Sequence, residues 1–464
     1  MKADKQDLSR RDFLRRMGIG TGMAVAAMMV DPLEGLAAVG RKKTKKASSK
    51  ANADGTNPSG VSMTYRTQKG TGEKVSLLGY GMMRLPTRDR QIDQDMVNQE
   101  VDYALAHGVN YFDTAPVYHG GQSEVATGIA LSRHPRHTYM VATKMSNFDR
   151  RSWPIERSKE IYHESFKKLQ VEVIDYYLLH SVAGNMEELE GRFLNNGLLD
   201  FLIEERKAGH IRNLGFSHHG DVRVFDRLLS MHDEVHWDFV QIQMNYLDWR
   251  HGKSSNNTDA EYMYDKLNKL GIQSVVMEPL RGGRLASLPD EAAAQLRQRR
   301  PDDSIASWAF RWVGSHPNVL TTLSGMTTLE ILKENVATFS PLNACTAEEN
   351  ALLERVADSV AGFPTVPCTA CAYCMPCPFG VDIPGNFAYY NKAIDNKQLP
   401  LPERTAADYA QRAQAFADGY RQAIPAEAWA SKCADCEACL SKCPQKIRIP
   451  NQLGRIVELT RKRR

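Results

Sequence analysis

Two cysteine runs carry the plainest chemical signal in this 464-residue chain. The first, CTACAYCMPCP, sets Cys368, Cys371, Cys374 and Cys377 three apart, with Pro378 after the last. The second, CADCEACLSKCP, places Cys433, Cys436, Cys439 and Cys443 ahead of Pro444. Its C-x2-C-x2-C-x3-C-P spacing wraps three thiolates round one cluster and sends the fourth elsewhere. The first run is one residue shorter before its last cysteine. Thiols three apart in one tight loop are poorly placed for local disulfides. Zinc takes two separated C-x2-C knuckles rather than three cysteines in succession. The spacing therefore points to two [4Fe–4S] clusters. Cys345, the ninth cysteine, reads as a lone core or loop thiol.

A second set is spread along the chain: Asp113, Tyr118, Lys144 and His180. Each falls at or just past the end of an apolar run. Singly they have ordinary readings: a helix cap, a solvated lysine, a core histidine. Together they make a tuned general acid. A tyrosine titrates near 10 when unperturbed, too high for easy proton delivery at neutral pH. An adjacent ammonium is expected to lower that value, with the aspartate holding the lysine. The imidazole would donate to a carbonyl oxygen and orient it. The set suits proton transfer to a polarised carbonyl; it lacks a hydride source.

The elements that must position these groups alternate. Apolar runs at 74–85, 109–115, 138–145, 173–181, 211–217, 238–246, 272–280 and 318–325 are eight candidate strands. Helical stripes lie between them, as at 93–107 (Val97, Val101, Ala104, Leu105) and 156–169 (Ile161, Ser165, Leu169). Alternating units of this size imply parallel strands with helical crossovers, and eight of them suit a (β/α)8 TIM barrel. An open doubly wound sheet would carry a glycine fingerprint after its first strand, and GYGMMR is not G-x-G-x-x-G. In a barrel the C-terminal strand ends carry the chemistry, so the four groups would meet at one mouth. After the barrel, Thr346 and Glu349 form a capping box for one more helix.

FDTAPVYHGGQSE (112–124), VATKM (141–145), YLLHS (177–181), GFSHH (215–219), VQIQMNY (240–246) and MEPLRGGRL (277–285) resemble the aldo-keto reductase family, in its order and spacing over about residues 62–340. The resemblance implies an oxidoreductase that interconverts a small carbonyl compound and its alcohol by hydride transfer. It implies catalytic Asp113, Tyr118, Lys144 and His180, and a nicotinamide dinucleotide, NADP or NAD, across the mouth. By position, Ser217 and Gln243 would meet its carboxamide, with His218 also among the cofactor-binding residues. Pro279, Leu280, Gly283 and Leu285 would follow its pyrophosphate, with Gly325 and Asn335 near the adenosine end. Three places depart from the family. His218 stands where Asn is common, Met277 where an aromatic is common, and Gly325 and Ile331 where a basic pair clamps the 2′-phosphate.

Residues 384–431 read as helical, so the cysteine region resembles a helical ferredoxin-type domain, like that of the iron–sulfur subgroup of the same family. As in two-cluster ferredoxins, the fourth cysteine would cross over. Cys368, Cys371, Cys374 and Cys443 would hold one cluster; Cys433, Cys436, Cys439 and Cys377 the other. The clusters would relay electrons to or from a redox partner.

The formal net charge of +4 sits at the head, where residues 1–60 hold twelve Lys and Arg against six Asp and Glu. The remainder is near neutral and carries no footprint for nucleic acid. SRRDFL and the short run from Met17 to Val30 read as a twin-arginine export signal over 1–40. That run is too short for a membrane span, which needs roughly 20 residues. A disordered linker is expected at 41–60, the barrel over 61–345 and the ferredoxin-type domain over 346–464, with the working protein exported, periplasmic and without a membrane span. The alternative is a non-catalytic exported electron-transfer or redox-sensing module whose barrel docks a partner.

Overall fold

The computed structural model describes residues 62–89, 91–182, 185–252, 257–361, 365–396, 398–399 and 408–460. The expected export signal and linker lie outside these residues.

Each of the eight apolar runs contains a strand: β1 Leu78–Gly81, β2 Tyr111–Asp113, β3 Met140–Met145, β4 Ile174–Leu179, β5 Ile211–His218, β6 Phe239–Gln243, β7 Gln273–Met277 and β8 Val319–Ser324. All neighbours pair in parallel and β8 returns to β1, closing the barrel. The registers set Gly81 beside Asp113, Asp113 beside Ala142 and Lys144 beside Leu178, so the chemistry-bearing ends stand level. The first apolar run divides. Its opening residues, Lys74–Ser76, pair antiparallel with Tyr65–Thr67. In the loop of that hairpin Lys69 bonds Gln273 and Asn318, where β7 and β8 begin. The hairpin therefore lies at the end of the barrel opposite the chemistry.

Strand period two sorts the core. In β4, Tyr176 and Leu178 face the barrel interior with Tyr111, Phe239 and Val275. Their neighbours Tyr177 and Leu179 face the helices. Helix α1, Gln94–Ala106, buries Val97, Val101 and Ala104, and Asp93 caps it by accepting from Met96 N at 3.2 Å. Helix α2, Ile155–Leu169, buries Ser158, Tyr162, Ser165 and Leu169, a stripe of period 3.6.

Helix α3, Ala347–Ala361, begins with the expected capping box. Thr346 N donates to Glu349 Oε2 at 3.0 Å, and Glu349 N to Thr346 Oγ1 at 3.2 Å. Its buried face, Leu353, Val356, Ala357 and Val360, belongs to the barrel core. A separate core begins only at Val366. The expected boundary at 345 thus moves to between Ala361 and Val366, because a helix belongs with the core that covers its apolar stripe. The second core is built by α4, Ile383–Asp395, α5, Tyr409–Ala423, and α6, Ile449–Thr460, around Phe387, Tyr420 and Leu453. Barrel and cysteine-bearing segment form one compact unit. No helix among the described residues is long and apolar enough to cross a membrane.

Candidate active site and cysteine sites

Lys144, on β3, is wholly buried, and its Nζ donates to Asp113 Oδ1 at 2.5 Å and to the Thr114 carbonyl at 2.7 Å. The same ammonium stands 5.0 Å from the ring centre of Tyr118. Tyr118 follows β2 in a turn whose Gly120 and Gly121 have positive φ, and His119 of that turn accepts from Leu85 N at 3.0 Å. His180 follows β4 and meets Tyr118 edge to face, ring centres 5.9 Å apart. Its Nδ1 pairs with Ser146 Oγ at 2.6 Å, and Arg192 donates to its carbonyl oxygen at 2.7 Å. Asp113, Tyr118 and His180 line one cavity of about 340 Å³.

The electrostatics differ from the expectation in one respect. Burial pushes the Tyr118 phenol well above 10, and neighbouring Tyr373, Asp113 and Cys371 push the same way. The Lys144 charge is already matched by Asp113, so in a dry pocket the phenolate loses more from desolvation than it regains. Burial likewise lowers Lys144 and raises Asp113, each opposed by the other. His180 is held well below 6.5 by burial, then by Lys144, Arg192 and His219, so its imidazole is neutral. The site holds a protonated phenol beside a neutral imidazole, two hydrogen-bond donors for one oxygen.

The cysteine region supplies a wall that sequence reasoning missed. Thr369, Cys371, Tyr373 and Pro444 line the same cavity. Tyr373 Oη lies 3.3 Å from His180 Nε2, and the Tyr373 ring packs against Tyr118 and Phe148. Ser146 and His219 were also missed. A serine just past the β3 end, level with His180, was the available signal for the first.

Of the expected cofactor contacts, Ser217, Pro279, Leu280, Gly283 and Gly325 line the cavity. Four do not. His218 turns outward onto Phe225, ring centres 5.1 Å apart, because Ser217 and its successor face opposite sides of β5; His219 takes the cavity position. Leu285 is fully buried in the barrel's outer core. Asn335 donates to Ser324 Oγ at 3.0 Å. Gln243 is bound to Asp248 and to Gln445 of the cysteine region. As these groups are packed, they do not fit a nicotinamide dinucleotide across the mouth.

The eight cysteines line two small cavities. Cys368, Cys371, Cys374 and Cys443 border one, with Ile383, Phe387 and Ile449. Cys377, Cys433, Cys436 and Cys439 border the other, which also touches Cys374. Among the described residues no three such side chains converge tightly enough on one point to hold a single metal ion. A cubane asks for something else, since each thiolate binds its own iron corner. Two fourfold thiol sets around apolar cavities fit that donor chemistry. Crowding also registers within the sets: the Cys374 thiol is pushed up to about 12 by burial, then by Cys371, Cys368 and Cys443. The Cys439 thiol is pushed up to about 11 by burial, with Cys433, Cys436 and Cys377 adding to it. Cys345 stands apart, partly buried against the barrel core.

The aldo/keto reductase family model matches residues 77–358, and a 4Fe-4S dicluster domain model matches residues 367–448. L-galactose dehydrogenase of Arabidopsis thaliana is 24% identical over 301 residues, 61% of this chain and 90% of that protein. The NADH-specific methylglyoxal reductase of Escherichia coli is 26% identical over 326 residues, 61% of this chain and 94% of that protein. Among solved structures, an aldo-keto reductase from Bacillus halodurans in its holo form superposes with a TM-score of 0.51 at 24% identity, covering 63% of this chain and 96% of its own. One from Klebsiella pneumoniae in complex with NADPH gives a TM-score of 0.51 at 20% identity, covering 63% and 95%. Those structural likenesses speak to the barrel fold alone. The chain belongs to the aldo/keto reductase family: it is an oxidoreductase of that type whose barrel is followed by a 4Fe-4S-type domain.

Proposed function

We propose that this protein interconverts a small carbonyl compound and its alcohol at the barrel mouth, with electrons relayed by two [4Fe–4S] clusters in the C-terminal domain. The observation that carries the reading is the buried Lys144–Asp113 pair under the Tyr118 ring, beside neutral His180 on one cavity. The substrate oxygen would sit between Tyr118 and His180, replacing the contact that Tyr373 now makes. Tyr118 would give its proton to that oxygen as charge develops there, and His180 would hold the oxygen in line. Lys144 and Asp113 would keep the phenol in place, and the lysine would return a proton to it.

A hydroxylated carbonyl compound is the favoured class, on the sugar named in L-galactose dehydrogenase. Bound clusters would supply one-electron storage, held by Cys368, Cys371, Cys374 and Cys443 and by Cys377, Cys433, Cys436 and Cys439. The paired arginines and short apolar run of residues 1–40 make the proposed working compartment the periplasm.

Tyr118→Phe tests the reading. It should lower turnover by about 10² to 10⁴-fold while iron content and the cluster EPR signal stay as in the parent. Unchanged turnover would refute it and favour a docking module.

A further inference from the structure

Part of the seat expected for a nicotinamide dinucleotide, at Gln243 and at the Gly282 loop, is engaged with the cysteine domain. The Gln243 amide, expected to read the carboxamide, has both ends committed. Its Nε2 donates to Asp248 Oδ2 at 2.6 Å and its Oε1 accepts from Gln445 Nε2 at 3.0 Å. Both glutamines are buried. Pulling them apart for a ligand would strand buried polar groups, at about 1–3 kcal/mol each.

The loop expected beneath the pyrophosphate is backed onto the first cysteine run. Gly282 has a φ of +69°, and a Cβ there would stand 2.5 Å from the carbonyl oxygen of Thr369. A phosphate has no passage at Gly282; only Gly283, where a Cβ would meet nothing within 4 Å, is left open to the cavity. Arg84 donates to the same carbonyl at 2.5 Å, tying the first barrel loop to the cysteine run. Glu278 lines the cavity and bonds the Thr369 side chain, with Arg84 nearby. Farther out, the Arg84 stem lies 3.0 Å from where a Gly325 Cβ would stand. The remaining cavity, about 340 Å³, is at the low end of the roughly 300–1,000 Å³ of ligand pockets. It has room for a small carbonyl compound and none for a dinucleotide beside it.

We infer that the cysteine domain takes the place of the nicotinamide dinucleotide in this chain. The mouth binds neither NAD(H) nor NADP(H), and the carbonyl chemistry proposed at Tyr118, on which this inference rests, is driven by a one-electron carrier outside the chain. A carbonyl becomes an alcohol by taking up two electrons and two protons. The C=O π bond breaks, and one O–H and one C–H bond form. A reduced carrier of the ferredoxin or viologen class gives up one electron twice and is oxidised. Tyr118 supplies the proton on oxygen, and solvent supplies the proton on carbon. In the reverse direction an oxidised carrier accepts both electrons.

The test uses the full chain purified anaerobically with its iron. Iron and acid-labile sulfide analysis, with EPR after dithionite, checks the cluster reading separately. NADH and NADPH are then titrated by equilibrium dialysis from about 1 μM to 1 mM, the usual span of enzyme–substrate affinities. The expected result is no saturable binding of either nucleotide, and no EPR signal when NADPH replaces dithionite as reductant. Saturable one-to-one binding of either nucleotide, or reduction of the clusters by NADPH, overturns the inference even where the iron content is full.

Discussion

The two thiol sets of the C-terminal domain stand in different surroundings. The inner set meets the barrel. Cys371 lines the barrel-mouth cavity with Tyr373, and Cys443 is buried in the second core. The outer set meets solvent: Cys436 is exposed, and the cavity it borders includes Glu437 and Lys442. One end of the domain thus faces the barrel-mouth cavity and the other faces solvent. An array with one dry end and one open end suits charge that enters at the surface and is used inside. On this account the two sets are not interchangeable.

The sharpest way to break that contrast is to remove one thiol from each set. Cys371→Ala should abolish turnover driven by a reduced viologen, a loss of more than about 100-fold. Cys436→Ala should lose about half the iron yet keep part of the viologen-driven turnover, since a small donor does not need the outer set. Equal losses would erase the distinction between inner and outer ends.

The next effect concerns what holds the first cysteine run against the barrel. Helix α3, which leads into it, is anchored by Glu349, bonded to Arg300 Nε at 2.5 Å and Arg311 at 2.6 Å. Burial opposes that carboxylate, but the hydrogen bonds from Arg300, the Thr346 backbone and Arg311 outweigh it and hold Glu349 down at about 2. A depressed carboxylate contributes stability above its unfolded value, near 4.5, and the contribution fades as pH falls from there toward 2. Glu349→Ala should cost about 3–5 kcal/mol at neutral pH, and the gap to the parent in denaturant melts should narrow below pH 4.5. A gap constant down to pH 2 would show that the anchor is not ionic.

The smallest effect belongs to Tyr373. Losing its hydroxyl in Tyr373→Phe removes its hydrogen bonds to His180 and Tyr118, each worth about 1 kcal/mol, so turnover should change by roughly five- to thirtyfold. Because this phenol stands where the proposed substrate oxygen would sit, KM should fall while the EPR signal stays put. A rise in KM would recast Tyr373 as a substrate ligand.

Much of the barrel was legible because its signals are local. Eight apolar runs, the helical stripes between them and the Thr346–Glu349 box each declare themselves within a few residues. The convergence of Asp113, Tyr118, Lys144 and His180 was legible because barrel topology sends strand ends to one mouth. The outward turn of His218 was readable from strand alternation as well, since Ser217 and its neighbour cannot face the same side. What stayed hidden lies in contacts between distant segments. Gln445 meets Gln243, and Tyr373 meets His180, across about 200 residues of chain. No local pattern carries such pairings; they arise from docking of two finished cores. The direction of the Tyr118 shift was hidden for a related reason. An ammonium nearby was readable, but the dryness of the pocket is set by the domain that covers it.

The central claim is that this domain sits in the nicotinamide seat beside a working carbonyl site. An anaerobic crystal structure of the iron-loaded chain, grown with excess NADPH, tests it most directly. The account expects Tyr373 against Tyr118 and His180, Gln445 on Gln243, four irons within the inner thiol set, and no nucleotide at the mouth. NADPH lying across Ser217 and Gly283 with the cysteine domain swung aside would contradict it.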